Sequence, residues 1–153
     1  MPRKEVDEIR LAAWRSLNAA HANLVALIDR ELTAADCLRL SCYEVLSELV
    51  AAPENRLRLN ELAQNVGLSR SGLTRLVDKL ESAGLLRRQA ATDDRRGAFA
   101  VLTEKGKAVV RKSQPVYENG IAKYFMPYVT KEEAQLLGDV FARILEATQK
   151  NDS

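Results

Sequence analysis

Residues 57–88 read LRLNELAQNVGLSRSGLTRLVDKLESAGLLRR, and the fold follows from this run. Asn60 is a plausible N-cap for a first short helix whose inner side carries Leu62, Ala63 and Val66. Gly67 can take the left-handed backbone conformation that turns the chain, and Ser69 can cap a second helix two residues on. In that second helix Leu73, Leu76, Val77 and Leu80 recur at i, i+3, i+4 and i+7, which marks one buried stripe. Arg70, Ser71, Thr74, Arg75 and Asp78 fall on the other side, and Gly84 ends the helix as a C-terminal glycine. Two helices joined by a tight turn, the second apolar inside and cationic outside, form a helix-turn-helix.

Working outward, Leu85 to Ala90 and Ala98 to Leu102 read as two strands of a hairpin, with Thr92-Asp93-Asp94-Arg95-Arg96-Gly97 as its charged tip. Thr103 is expected to cap a further helix, which Pro115 should kink or break. Thr130-Lys131-Glu132-Glu133 has the form of a capping box opening a last helix with Leu136, Leu137, Val140, Phe141, Ile144 and Leu145. Upstream, Ile9, Ala13, Leu17, Ala20, Leu24 and Leu27 mark one face of a long helix from Val6 to about Leu32. Ser41-Cys42-Tyr43-Glu44 reads as a capping box for a second helix carrying Val45, Leu46, Leu49 and Val50. The fold class is therefore mainly α with a small β-hairpin wing.

The formal net charge of +2 hides an uneven distribution. From Arg56 to Lys112 there are 13 Lys and Arg against 6 Asp and Glu, while the flanks hold 10 against 15. Positive charge is concentrated where a polyanion could use it. The opening MPRKEVDEIR does not resemble a signal peptide and no run approaches a membrane span, so a cytoplasmic protein with no membrane partner is expected. Cys37, Cys42 and the lone His21 match no zinc spacing, and no nucleophile elbow or phosphate loop is present. Neither a metal, a cofactor nor an enzyme activity is expected.

A recognition helix must bury one face and present the other to a major groove about 12 Å wide. The helix from Ser69 meets both demands. Arg70 and Arg75 can donate to guanine edges or phosphates, Ser71 and Thr74 are short enough to approach bases, and Ser69 and Lys79 complete the candidate surface. Gly72 costs about 1 kcal/mol of helix propensity relative to Ala, which suggests a close approach in the first turn. Arg95 and Arg96 at the hairpin tip could enter a minor groove, where the negative potential is enhanced. Asp93 and Asp94 would be repelled by phosphates, so at least one of them is expected to hold an arginine in place.

The stretch Asp94 to Gly106 resembles the wing signature D-x-R-x-x-x-V-x-L-T-x-x-G of the multiple antibiotic resistance regulator (MarR) family, with Ala100 in place of the usual Val. The helix-turn-helix from Leu59 to Leu86, including TRLVDKLESAGLL from Thr74, and the LSCYEVL piece from Leu40 to Leu46 are similar to the family as well. The resemblance implies a transcription regulator, as a rule a repressor, that binds double-stranded DNA at a pseudo-palindromic operator as a homodimer. Residues 1–153 would form one domain, with 6–34 and 104–150 as the helical dimerisation region and 41–103 as the winged DNA-binding region. By the same resemblance, Asp94 braces the wing and Arg96 is its minor-groove residue.

Ile9, Leu17, Leu24, Leu137, Phe141 and Ile144 make more apolar stripe than a small winged domain can cover, which independently favours a partner copy over a monomer. Family members often release DNA on binding a small aromatic or phenolic effector, and Trp14, Asn18, His21 and Tyr43 could line such a pocket or simply pack. Cys42, in the first turn of its helix with Cys37 nearby, could act as a redox switch or serve as a small buried residue. A winged-helix protein-interaction adaptor without specific DNA binding is the rival reading. Arg70, Arg75 and Arg96 argue against it, because an adaptor has no need of cations at all three positions.

Overall fold

The computed structural model describes residues 6–92 and 97–149. Among the described residues the chain forms six α-helices, α1 (Glu8–Ala34), α2 (Leu40–Ala51), α3 (Leu59–Val66), α4 (Arg70–Ser82), α5 (Glu104–Tyr124) and α6 (Lys131–Gln149), and a small sheet against which α2, α3 and α4 pack. Its strands are β1 (Arg56–Arg58), β2 (Leu86–Ala90) and β3 (Ala98–Leu102), in the order β1-β3-β2 and antiparallel throughout. The expected hairpin is thus present, and the extended piece before the first helix of the pair joins it as a third strand, with Leu57 opposite Ala100.

Where a helix end depends on neighbours in sequence, the expected cap is found. Ser69 Oγ accepts the Gly72 N–H at 3.1 Å, Thr103 Oγ1 accepts the Gly106 N–H at 3.0 Å, and Thr130 and Glu133 cap each other reciprocally. Gly67 and Gly84 both have positive φ, +68° and +73°, as their turns require.

Two expected caps are not used. Helix α2 starts at Leu40 rather than Ser41, and its first amide donates to Asp29 Oδ1 of α1 at 2.8 Å. Arg39 holds the same carboxylate at 2.6 Å, so a residue eleven positions upstream takes the role assigned to Ser41 and leaves Glu44 free of the capping box. Likewise α3 begins at Leu59 with no side-chain cap, which puts Asn60 inside the helix.

Pro115 does not break α5, which runs unbroken from Glu104 to Tyr124. Pro115 and Arg111 lie on the exposed side of that helix, where water can satisfy the carbonyl left without its amide donor. The opposite side of α5 packs on α1, closely enough that a Cβ at Gly120 would lie 3.2 Å from Ile28.

The core sits in the centre of the molecule. Leu32, Val45, Leu46, Leu49, Leu62, Val77, Leu80 and Leu86 are sealed from solvent, with Ala100 and Leu102 closing the sheet side. Helix α1 reaches this core through Val25, Ile28 and Leu32 rather than through the stripe beginning at Ile9. That stripe remains open, Ile9 being 82% exposed, and α6 buries none of its residues.

Candidate nucleic-acid interface

The chain sets α4 at the surface by a short series of local decisions. Gly67 reverses the backbone, its N–H and that of Leu68 reach the last carbonyls of α3, and Ser69 then opens α4. Leu73, Val77 and Leu80 go into the core, so Arg70, Ser71, Thr74, Arg75, Asp78 and Lys79 are exposed together. Ser69 is occupied as the cap, and Thr74 Oγ1 donates to the Arg70 carbonyl at 2.8 Å. The two arginines and Lys79 thus form a cationic outer edge among short hydroxyl side chains. Gly72 has a structural reason: an added Cβ would stand 3.1 Å from Ser69 Oγ, so the close approach inferred from its presence is made by the helix cap.

The wing is fastened to this helix from both ends. Arg88 of β2 donates through Nη2 to Asp78 at 2.5 Å, through Nη1 to Glu81 at 2.8 Å, and through its backbone N–H to Glu81 at 2.7 Å. The Asp78 hydrogen bond, with Glu81 adding to it, raises the Arg88 pKa, and the Arg88 amide and guanidinium hold the Glu81 carboxyl below its ordinary range. At the other end Thr103 Oγ1 donates to the Gly84 carbonyl at 2.7 Å, Lys105 Nζ donates to Ala83, and the Thr103 amide donates to Leu85. Gly106 is obligatory there, because a Cβ would lie 2.1 Å from the Leu85 carbonyl oxygen. The L-T-x-x-G part of the wing signature is therefore the joint between the end of α4, the sheet and α5.

Arg70 and Thr74 share a shallow depression with Arg58, Gly97 and Ala98, so the first turn of α4 and the returning strand of the wing face one another. Arg56 and Arg58 stand over the Phe99 ring, 4.9 and 4.8 Å from its centroid. Arg58, together with the exposed Arg87, adds to the cationic surface at positions the motif reading did not single out. The charge count from Arg56 onward contained the signal, but not which face it would occupy. Asp94, Arg95 and Arg96, with Asp93, lie outside the described residues.

A second feature is a cavity whose wall includes the end of α3. Helices α1, α2, α3 and α5 border this open cavity of about 430 Å³, lined in part by His21, Tyr43, Glu44, Glu48, Asn65 and Tyr117. Of the four residues considered for an effector pocket, His21 and Tyr43 lie in this wall, whereas Trp14 and Asn18, on the same stripe of α1 but nearer its start, are exposed and do not line it. The Tyr43 and Tyr117 rings pack with centroids 4.6 Å apart. Desolvation raises the Glu44 pKa above its ordinary value, with His21 opposing, and desolvation also raises that of Tyr117. The Ser47 hydroxyl is buried without a hydrogen-bond partner among the described residues. Cys42 is 2% exposed in the core, and both thiols are free.

Among the described residues no helix is long and apolar enough to cross a membrane, and no cluster of metal-ligating side chains is present. The family model described as MarR family matches residues 38–97, from α2 through the wing. The chain is 30% identical over 105 residues to the HTH-type transcriptional repressor YetL of Bacillus subtilis, an alignment spanning 67% of this chain and 63% of YetL, less than two thirds of its length. It is 31% identical to a MarR family transcriptional regulator from Streptomyces coelicolor solved in complex with DNA, with 96% of this chain and 91% of that one superposed at a TM-score of 0.82. CouR from Rhodococcus jostii RHA1, solved bound to p-coumaroyl-CoA, shares the fold at 23% identity and a TM-score of 0.74 over 91% of this chain and 92% of CouR. The match through the helix-turn-helix, and the overlap with a 31% identical relative along nearly the whole length of both chains, establish that this chain belongs to the MarR family, whose members are transcription regulators and not enzymes.

Proposed function

We propose that the chain is a transcription repressor that binds a pseudo-palindromic operator as a homodimer and is released from it by a small-molecule effector. The observation that carries the DNA reading is the outer face of α4: Arg70, Ser71, Thr74, Arg75 and Lys79 are exposed together, beside the wing strand and braced against it by Arg88. Such a face suits major-groove readout, with Arg96 of the wing assigned to the flanking minor groove. The Streptomyces relative bound to DNA supports this assignment.

The homodimer is supported by the uncovered apolar surface. Among the described residues every exposed large hydrophobic except Val50 lies before the core-contacting end of α1 or after α5. Ile9, Trp14 and Leu17 on one helix and Leu136, Phe141, Ile144 and Leu145 on the other give a second copy a self-complementary surface of the kind a two-fold interface needs. A C2 dimer would present two α4 helices to half-sites about 10 base pairs apart.

The effector reading is supported by the cavity bordered by α1, α2, α3 and α5, which joins the first helix of the chain to the helix-turn-helix. A ligand seated there can shift DNA affinity if it binds one spacing of the two winged units better than another.

Footprinting on the DNA upstream of the protein's own reading frame tests the DNA claim. The expected result is a two-fold protected region whose affinity falls with salt at a log-log slope of about −5, for a dimer neutralising about six phosphates. Arg75→Ala should relax preference at one symmetric pair of positions if it reads a base, or weaken all sequences evenly if it holds phosphate. Protection of a single half-site, or affinity insensitive to salt, would favour the adaptor reading instead.

A further inference from the structure

The cavity wall carries a charge pattern from which the class of ligand can be argued. The acids Glu44 and Glu48 are among its lining residues, whereas no Lys or Arg is found among the described ones, and His21 is the sole basic side chain. Glu48 is engaged, its Oε2 accepting from Asn65 Nδ2 at 3.1 Å. Glu44 takes no hydrogen bond or ion pair among the described residues, and it stands in a concave wall beside the paired rings of Tyr43 and Tyr117. An exposed carboxylate at the open side of such a wall, with no Lys or Arg beside it, sets a local negative potential that favours a cationic ligand over an anionic one. Electron-rich tyrosine faces attract the same kind of ligand.

We propose that this cavity selects a cation, namely a protonated or quaternary amine carried on an aromatic or other planar apolar body. Glu44 is the counter-charge, and the Tyr43 and Tyr117 pair is the wall against which the body packs. An aromatic carboxylate would bring a third negative charge toward Glu44 and Glu48 with no Lys or Arg in the wall to offset it. The inference rests on the effector reading above for its regulatory meaning, but not for the binding itself.

A matched pair of probes tests it. Phenethylamine and 3-phenylpropionate have the same phenyl body and two-carbon arm and differ in the sign of the charge. Calorimetry on the full chain without DNA, at neutral pH, should give an affinity at least about tenfold higher for the amine. Glu44→Gln should abolish most of that preference while circular dichroism stays unchanged, and Glu48→Gln should reduce it less, because Asn65 already occupies Glu48. Equal or tighter binding of the carboxylate, indifference to Glu44→Gln, or no binding of either probe up to about 10 mM would each overturn the proposal. Operator release is scored in a separate shift assay. An amine that binds without releasing DNA contradicts the effector reading alone, whereas release by the carboxylate alone contradicts the charge inference and leaves the effector reading standing.

Discussion

In the winged centre Val45, Leu46, Leu49, Leu62, Val77 and Leu80 are closed off from water by their own chain, whereas Ile9 on α1 and Leu137, Phe141 and Ile144 on α6, the last three at equally regular helical spacing, remain open. The two regions are built from the same residue types with the same periodicity. Regular apolar spacing therefore says that a helix face is to be buried, but not whether the same chain will bury it. In the centre, short turns at Gly67 and Gly84 fold α3, α4 and the sheet onto α2 within a few dozen residues, so every stripe finds a neighbour. At the ends, α1 meets the core with its last turns alone and α6 finds no comparable surface in its own chain.

The largest effect is expected at the joint that closes the winged centre. A Cβ at Gly106 would sit 2.1 Å from the Leu85 carbonyl oxygen, and backbone cannot move aside as a side chain can. Gly106→Ala should cost about 3 kcal/mol or more in urea unfolding. Tolerance of that change would mean that α5 is not locked to the end of α4.

The comparison itself is tested by paired truncations. Leu46→Ala, in the sealed core, should lose about 2–5 kcal/mol. Leu145→Ala, 56% exposed in the protomer, should leave the stability of a dilute monomer nearly unchanged and instead weaken association. Similar losses at both sites in dilute protein would show that α6 packs on its own subunit.

A smaller effect belongs to the bracing of the wing. Arg88→Ala removes contacts to Asp78 and Glu81 from a side chain that is 29% exposed, so solvent screening limits the loss to about 1 kcal/mol. Operator affinity should fall by more than that stability loss accounts for, because the variant removes both side-chain ties of β2 to α4 and leaves the residue-88 backbone amide on Glu81. Equal binding by the variant would remove Arg88 from the account of the site.

The smallest effects are those of pH. The Arg39 hydrogen bond lowers the Asp29 pKa, the Tyr124 hydroxyl lowers that of Glu31, and the Arg88 amide lowers that of Glu81. In each case the unfolded chain binds the proton more readily. The stabilisation is therefore complete above the unfolded carboxylate value of about 4 and is lost as pH falls through the lower folded values. Glu44 has the opposite sign: its folded pKa is raised by desolvation, so its contribution favours the fold at low pH and is lost as pH rises through the raised value. Glu44→Gln should accordingly raise the thermal midpoint at neutral pH and change it less in acid, as differential scanning calorimetry would report.

Legibility in the sequence divides along similar lines. Ser69, Thr103, Thr130, Gly67 and Gly84 act on amides and turns within a few residues, and their roles could be read directly. Ser41 and Asn60 had the right chemistry for caps, but Asp29 reached across from α1 and Leu59 had already begun the helix. That one long-range hydrogen bond also hid the cavity. Glu44 looked committed to a capping box, and Tyr117 lies some seventy residues away on a helix that Pro115 was expected to interrupt. Arg88 was missed for the same reason, since Asp78 on the outer face of α4 looked available to solvent until β2 folded back onto it.

The central claim is that the open stripes of α1 and α6 meet those of a second copy and so carry two winged units to one operator. Sedimentation equilibrium at micromolar concentration tests it most directly. A species of twice the 17.0 kDa chain mass is expected, shifted toward the single-chain mass by Phe141→Lys with the winged centre still folded. A 17.0 kDa species for the unaltered protein at that concentration would contradict it.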